Sequence, residues 1–297
     1  MASAPIPVVA FRLKHILFTT DFSSASESAL TYAQALAERF GSTIHLLHVL
    51  EPAPYLGLPM DFTAPMDAQG HQAEQQMGQL LKSHPPRDIP HNSLLRRGPL
   101  WHVVADAIRH FQIDLVVTAT HGRRGFQKLV LGSAAEEIFR RASCPVITIG
   151  PHIEAPAAAL PHDRSILYAT DFSPSAQHAL LYALELARRE TCRLILLHVL
   201  PQGDLAPGEV EELTDSTRRQ LRALVSPAVQ LTQSIETRAV AGTPADCILS
   251  AAAEEKAGLI VMGARRPALG GVTSHLPWAT AHRVVCEAHC PVLTVRA

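Results

Sequence analysis

The stretch His15–Leu50, HILFTTDFSSASESALTYAQALAERFGSTIHLLHVL, carries the reading of the fold. It opens on a short apolar run that ends at Asp21, the pattern of a buried strand. Ala29, Leu30, Ala33, Leu36 and Ala37 then recur at helical spacing, with serines before them and Gly41 after them. TIHLLHVL, Thr43–Leu50, follows as a second buried strand. Two strands joined through a helix run parallel, because a hairpin turn is too short to bring the chain back in the same direction.

The stretch occurs again, 150 residues on, as SILYATDFSPSAQHALLYALELARRETCRLILLHVL, Ser165–Leu200, with 18 of 36 positions identical and no gap. The ends agree as well, SCPVITI from Ser143 matching HCPVLTV from His289. A whole domain is therefore duplicated, with expected domains at 1–150 and 151–297. The join, GPHIEAPAAALPHD at Gly150–Asp163, is rich in Pro and Ala and reads as a linker.

Beyond Leu50 the first half continues with a loop at Glu51–Pro65, a polar helix near Ala68–Lys82 and a strand near Ser93–Arg96. A helix near Leu100–Phe111, the strand DLVVTAT, the helix SAAEEIFRRA and the strand PVITIG complete it. Strands alternating with helices predict an α/β chain of two tandem Rossmann-like domains, each a five-stranded parallel sheet with helices on both faces. Apolar residues at 47% and charged residues at 18% supply cores of that size.

The formal net charge is −1, and the halves carry 13 basic against 12 acidic residues and 13 against 15. Neither half has the positive field of a nucleic-acid or anionic-membrane binder, so neither partner is expected. Arg96-Arg97, Arg140-Arg141, Arg188-Arg189 and Arg218-Arg219 read as solvated faces. Arg123-Arg124 and Arg265-Arg266 instead fall in the loops after the fourth strand of each half. Five cysteines without a CxxC pair suit a reducing cytosol, and the first twenty residues read as neither signal peptide nor membrane span. A soluble, cytoplasmic protein is expected.

In open parallel sheets, ligands sit beyond the carboxyl ends of the strands, where the winding direction reverses. That rule selects the turn at Asp21, the end of the second strand near Val49, and the loop ATHGRRGFQKLVLGS, Ala119–Ser133. This loop leaves a strand and returns at a helix N-terminus, where free N–H groups favour an anion. Gly132 admits a phosphate close to the backbone, and Ser133 either caps the helix or hydrogen-bonds the phosphate. Gly122 frees the loop's conformation, and Arg123, Arg124 and Lys128 add positive charge. On spacing alone, an ordinary loop with a serine cap is the better fit, because Gly-Ser before a helix is common. Neither G-x-x-x-x-G-K-[ST] nor G-x-G-x-x-G occurs, so the machinery of those phosphate loops is not visible.

Together, TTDFS at a strand end, LLHVL, ATHG-x9-GS and SCPVITI resemble the universal stress protein family, whose small α/β domains bind adenine nucleotides. The resemblance covers nearly the whole chain as a tandem of two such domains. Nucleotide-binding members carry Gly-x2-Gly-x9-Gly-Ser/Thr; this chain has Ala119 at the first glycine, then Gly122, Gly132 and Ser133. The resemblance implies binding of ATP or a related adenine nucleotide, with Mg2+ bridging its phosphates. Thr19, Asp21 and Val49 would bound the adenosine. Thr118, Ala119, His121 and Gly122 would line the ribose and phosphates with Arg123 beside them, and Gly132, Ser133 and Ala134 would hold the phosphates. It also implies a regulatory role in stress response through an unidentified protein partner. Pairing of the two domains would imitate a dimer of single-domain members, and a further homodimer stays open. A nucleotide-independent scaffold or ligand-binding protein and a slow ATPase remain alternatives.

The second copy departs from that loop. Gly263 is retained, but Arg266 stands at the second glycine and Leu276-Pro277 at the Gly-Ser pair. Leucine fills space meant for a phosphate, and proline removes an N–H while still suiting a helix's first turn. Asp171 and Val199 remain, yet the second domain is expected to be mainly structural.

His282, Cys286 and His289 recur at i, i+4 and i+7 with Cys290 beside them, a spacing that metal sites use but that packed helices also show. His48 and His198 hold equal places in the two second strands and read as hydrogen-bonded structural histidines. Asp21 with His121 is the one titratable pair the fold would bring together, and no nucleophile accompanies it. The chain does not read as a dedicated enzyme.

Overall fold

The computed structural model describes residues 13–51, 63–120, 131–150, 152–153, 164–200, 207–264 and 275–296. The chain divides into two compact units, built on Arg12–Pro151 and on His152–Ala297.

In the first unit, β1 (His15–Thr19) leads into α1 (Ser24–Phe40) and β2 (Thr43–Leu50). Helix α1 starts where the Ser23 side chain accepts from the Ser26 N–H, and it ends at Gly41, whose φ of 65° is the left-handed conformation a glycine adopts without strain. Then follow α2 (Thr63–Ser83), β3 (His91–Arg97), α3 (Leu100–His110), β4 (Leu115–Ala119), α4 (Ser133–Arg141) and β5 (Val146–Ile149). Helix α2 begins inside the expected Glu51–Pro65 loop. Pro65, which reads as loop punctuation, lies in the first helical turn, where its missing N–H costs no intrahelical bond.

The strands stand in the order β3-β2-β1-β4-β5, and their pairings are parallel. From β1 the chain winds out through β2 to β3, then returns past β1 to β4 and β5. Right-handed crossovers in opposite directions place α1 and α2 on one face and α3 and α4 on the other. Leu17, Leu47, Val116 and Val146 pack under Val104, Ile108 and Ile138 on the α3–α4 face. Their alternate neighbours Ile16, Phe18 and Leu46 are buried too, as a sheet covered on both sides requires.

The second unit repeats the plan through β6 (Ser165–Ala169), α5 (Pro174–Glu190), β7 (Leu194–Leu200), α6 (Pro207–Ala223), α7 (Pro227–Thr232), β8 (Ile235–Ala241), α8 (Pro244–Glu254), β9 (Ala257–Gly263), α9 (His275–Glu287) and β10 (Val292–Val295). Its order is β8-β7-β6-β9-β10, again parallel. The short helix α7, which starts on Pro227, is an addition that the sequence pattern does not announce. No helix of the described residues is long and apolar enough to cross a membrane.

Candidate functional site

The winding of the first sheet reverses between β1 and β4, so the crevice expected of this topology opens at their carboxyl ends. Four of the residues singled out from the sequence meet there. Thr19, the last residue of β1, donates its hydroxyl to Thr118 Oγ1 at 2.9 Å across the reversal. Thr118 is 4% exposed and Ala119 beside it 9% exposed. Asp21 lies one residue past Thr20 in the turn that follows β1.

That turn is built by its own side chains. Thr20 Oγ1 accepts from the Phe22 N–H at 2.9 Å, and Asp21 Oδ1 accepts from the Ser23 N–H at 3.1 Å and from its hydroxyl at 2.6 Å. These bonds hold Phe22 at φ 60°, a conformation that costs an aromatic residue free energy and needs such support. The Phe22 ring stacks on His48 at 4.3 Å, and His48 Nδ1 lies 2.7 Å from the Thr20 carbonyl oxygen. A carbonyl only accepts, so Nδ1 carries the proton and Nε2 faces outward from that bond. The second unit has the same turn: Phe172 sits at φ 59°, its N–H bonds Thr170 Oγ1 at 2.9 Å, and His198 Nδ1 lies 2.7 Å from Thr170 O. His48 and His198 are thus half-buried, hydrogen-bonded supports for a tight turn, in line with their sequence reading.

Val49, half-buried near the end of β2, pairs in register with Arg96. At the end of β3, Gly98 takes φ 140° and donates its N–H to Leu50 O at 3.2 Å. Gly242 does the same toward Leu200 O at 3.1 Å with φ 156°. This glycine shapes the same edge of both sheets; its recurrence after the third strand was the available signal.

The described residues on either side of the segment after β4 are bonded to each other. Thr120 anchors to Ile149 O through its N–H at 2.9 Å, and its own carbonyl accepts the Gly132 N–H at 2.7 Å. Gly132 is the N-cap of α4 with φ −59°, an ordinary conformation, so it is not there for backbone freedom. Ser133 is the first helical residue rather than the cap, and the cap makes no side-chain bond. Its hydroxyl is thereby not used to start the helix. Because Gly132 spends its N–H on Thr120, the first-turn donors left at this helix end are those of Ser133 and Ala134, both exposed, and of the buried Ala135. His121, Gly122 and Arg123 lie outside the described residues, as do Arg124 and Lys128.

The corresponding edge of the second sheet differs chemically. Ala169 and Met262 are paired in register where the first sheet has Thr19 and Thr118, so the hydroxyl bridge is replaced by apolar side chains. Gly263, at the place of Ala119, serves packing: a Cβ there would lie 2.4 Å from the Ala176 backbone nitrogen of α5. Helix α9 begins at His275, so Leu276 and Pro277 are already inside its first turn. Arg265, Arg266 and Gly270-Gly271 lie outside the described residues.

Elsewhere, all five cysteines are free thiols. Cys286 Sγ lies 3.9 Å from His282 Nδ1, and among the described residues no group of three or more His, Cys, Asp or Glu is placed to hold a metal. Arginine doublets on helices pair with acids one turn away, Arg141 with Glu137 at 2.6 Å and Arg188 with Glu185 at 2.7 Å.

The sequence profile of the universal stress protein family matches residues 12–150 and again 164–296. A universal stress protein of Thermus aquaticus is 36% identical over 137 residues, which are 45% of this chain and 98% of that protein. One from Mycobacterium tuberculosis is 26% identical over 300 residues, covering 95% of this chain and 96% of its own length. The crystal structure of a universal stress protein from Archaeoglobus fulgidus superposes with a TM-score of 0.71 at 22% identity, over 96% of this chain and 99% of the other.

Proposed function

The chain belongs to the universal stress protein family as a tandem of two domains, and from that premise we propose that the first domain binds ATP or a related adenine nucleotide while the second mainly supports it. The observation that carries this reading is the α4 amino end. Held to the end of β4 by the 2.7 Å Gly132–Thr120 bond, it brings the open N–H groups of Ser133 and Ala134 to the winding reversal. The Thr19 and Thr118 hydroxyls and the Asp21 turn border the same crevice.

The donor set suits a polyphosphate: backbone N–H groups, hydroxyls and a helix N-terminus rather than a nest of carboxylates. Mg2+ fits this set as a hydrated ion held mainly through phosphate oxygens, the usual manner of its binding. It would neutralise phosphate charge there.

Occupancy regulates partner contacts only if nucleotide binds one state of the loop after β4 better than another. In the second domain, Ala169, Met262 and Pro277 replace the polar and N–H groups that an anion would use, which supports a structural role.

The reading is tested by calorimetric titration of the full chain with ATP and Mg2+. One site per chain is expected, lost in Gly132→Leu, whose backbone conformation accepts any side chain. Unchanged binding in that variant, or none in the native chain, contradicts it.

A further inference from the structure

The second domain contains a cavity at the edge opposite the β6–β9 carboxyl ends. It is about 430 Å³, within the range of small-molecule pockets. Arg164, immediately before β6, and Lys256, immediately before β9, line it together with Leu249, Ala252, Ala257 and Cys290. His289 adds a third basic group at the rim, and no carboxylate is among its lining residues.

The duplication explains why the space is there. Counting from the paired glycines Gly98 and Gly242, Ala252 and Ala257 hold the places of Ile108 and Ile113. The register is secured by Gln112 and Lys256, which take φ 51° and φ 50° at the equivalent position. In the first domain both isoleucines are buried in the α3–α4 core. Trimming two isoleucines to alanine removes apolar volume that protein interiors do not leave empty without cost. Asp114, which accepts the Lys14 and His15 N–H groups at 2.7 and 2.9 Å, is replaced by Gly258, so a carboxylate is lost from this edge as well.

Charge favours an anion. Glu255 and Glu254, on the same turn of chain, are drawn to Arg193 and Arg238: Glu255 bridges both, and Glu254 lies 3.6 Å from Arg238. Among the described residues no carboxylate pairs with Arg164 or Lys256. The carboxyl end of α8 carries about half a negative charge, against two full positive charges. Burial pushes the Cys290 thiol up to about 12, so it is wall and not nucleophile.

We propose that this cavity is a second ligand site, which takes a small organic anion whose carboxylate or phosphate meets Arg164 and Lys256 and whose apolar body fills the space beside Ala252 and Ala257. It is separate from the nucleotide crevice of the first domain and does not depend on that assignment.

The test titrates the full chain with phenyl phosphate, benzoate and uncharged benzyl alcohol, with and without saturating ATP and Mg2+. One of the anions binds, the alcohol binds far more weakly, and ATP does not compete. Arg164→Gln and Lys256→Gln each weaken the anion about tenfold, the worth of a charged hydrogen bond, with unchanged circular dichroism. Ala252→Ile fills the cavity and abolishes binding. Binding of neither anion, binding indifferent to both charge substitutions, or displacement by ATP each overturns the proposal.

Discussion

Thr19 and Thr118 join their hydroxyls at 2.9 Å across the winding reversal of the first sheet, while their counterparts Ala169 and Met262 pair there without one. Two copies of one ancestral plan have kept the order of their strands and parted in the chemistry of this edge. Removing the bridge has a defined consequence. Thr118→Val keeps the shape but leaves Thr19 without this partner, and should cost about 1 kcal/mol, a typical net hydrogen bond. Urea unfolding measures it.

Serines at two helix starts separate structural from ligand roles. Ser23 caps α1 and holds Asp21, so Ser23→Ala should lower stability by about 1 kcal/mol. Ser133 caps nothing, so Ser133→Ala should leave the unfolding midpoint in place and weaken ATP binding. Equal destabilisation by both would contradict the distinction.

Gly263 and Ala119 are expected to respond in opposite ways. Gly263→Ala drives a methyl group to 2.4 Å from α5 backbone, and overpacking of that kind costs roughly 3 kcal/mol. Ala119→Gly in the first domain should cost no more than about 1 kcal/mol, the usual penalty of glycine in a regular element. Hydrogen exchange will show amides of β9 and α5 opening first in the Gly263 variant.

Much of the fold was legible. The 3.6-residue period of Ala29, Leu30, Ala33 and Leu36 and the apolar runs on either side translate directly into α1 between β1 and β2, because burial on one helical face is what the spacing encodes. The start of α2 was harder, since Pro65 punctuates loops and also begins helices. At the candidate site, Asp21, Val49, Thr118 and Ala119 occupy the strand ends where the topology directs ligands. Two relations were not legible. The Gly132 N–H is spent on Thr120, and Gly263 stands where a side chain would clash with the α5 backbone. Both depend on contacts between segments far apart in sequence, which local spacing does not report.

Acid should weaken the first domain through His45. This ring is 2% exposed, with Nδ1 3.3 Å from Asn92 Nδ2 and Nε2 3.2 Å from His15 Nδ1. Burial, and then the neighbouring His15, lowers its pKa from 6.5 to about 4. The unfolded chain therefore takes up a proton near pH 6.5 that the folded chain refuses until about 4. Stability is complete above that window and falls through it, by as much as about 3 kcal/mol. Urea midpoints at pH 7 and pH 5 should differ less in His45→Gln than in the native chain.

The central claim is one live nucleotide site in a chain of two similar domains. Its most direct test is the nucleotide content of natively purified protein, released by heat and quantified per chain after exposure to ATP and Mg2+. One adenine nucleotide per chain, lost in Gly132→Leu, is the predicted result. Two per chain would contradict the structural role of the second domain, and none would contradict nucleotide binding by the first.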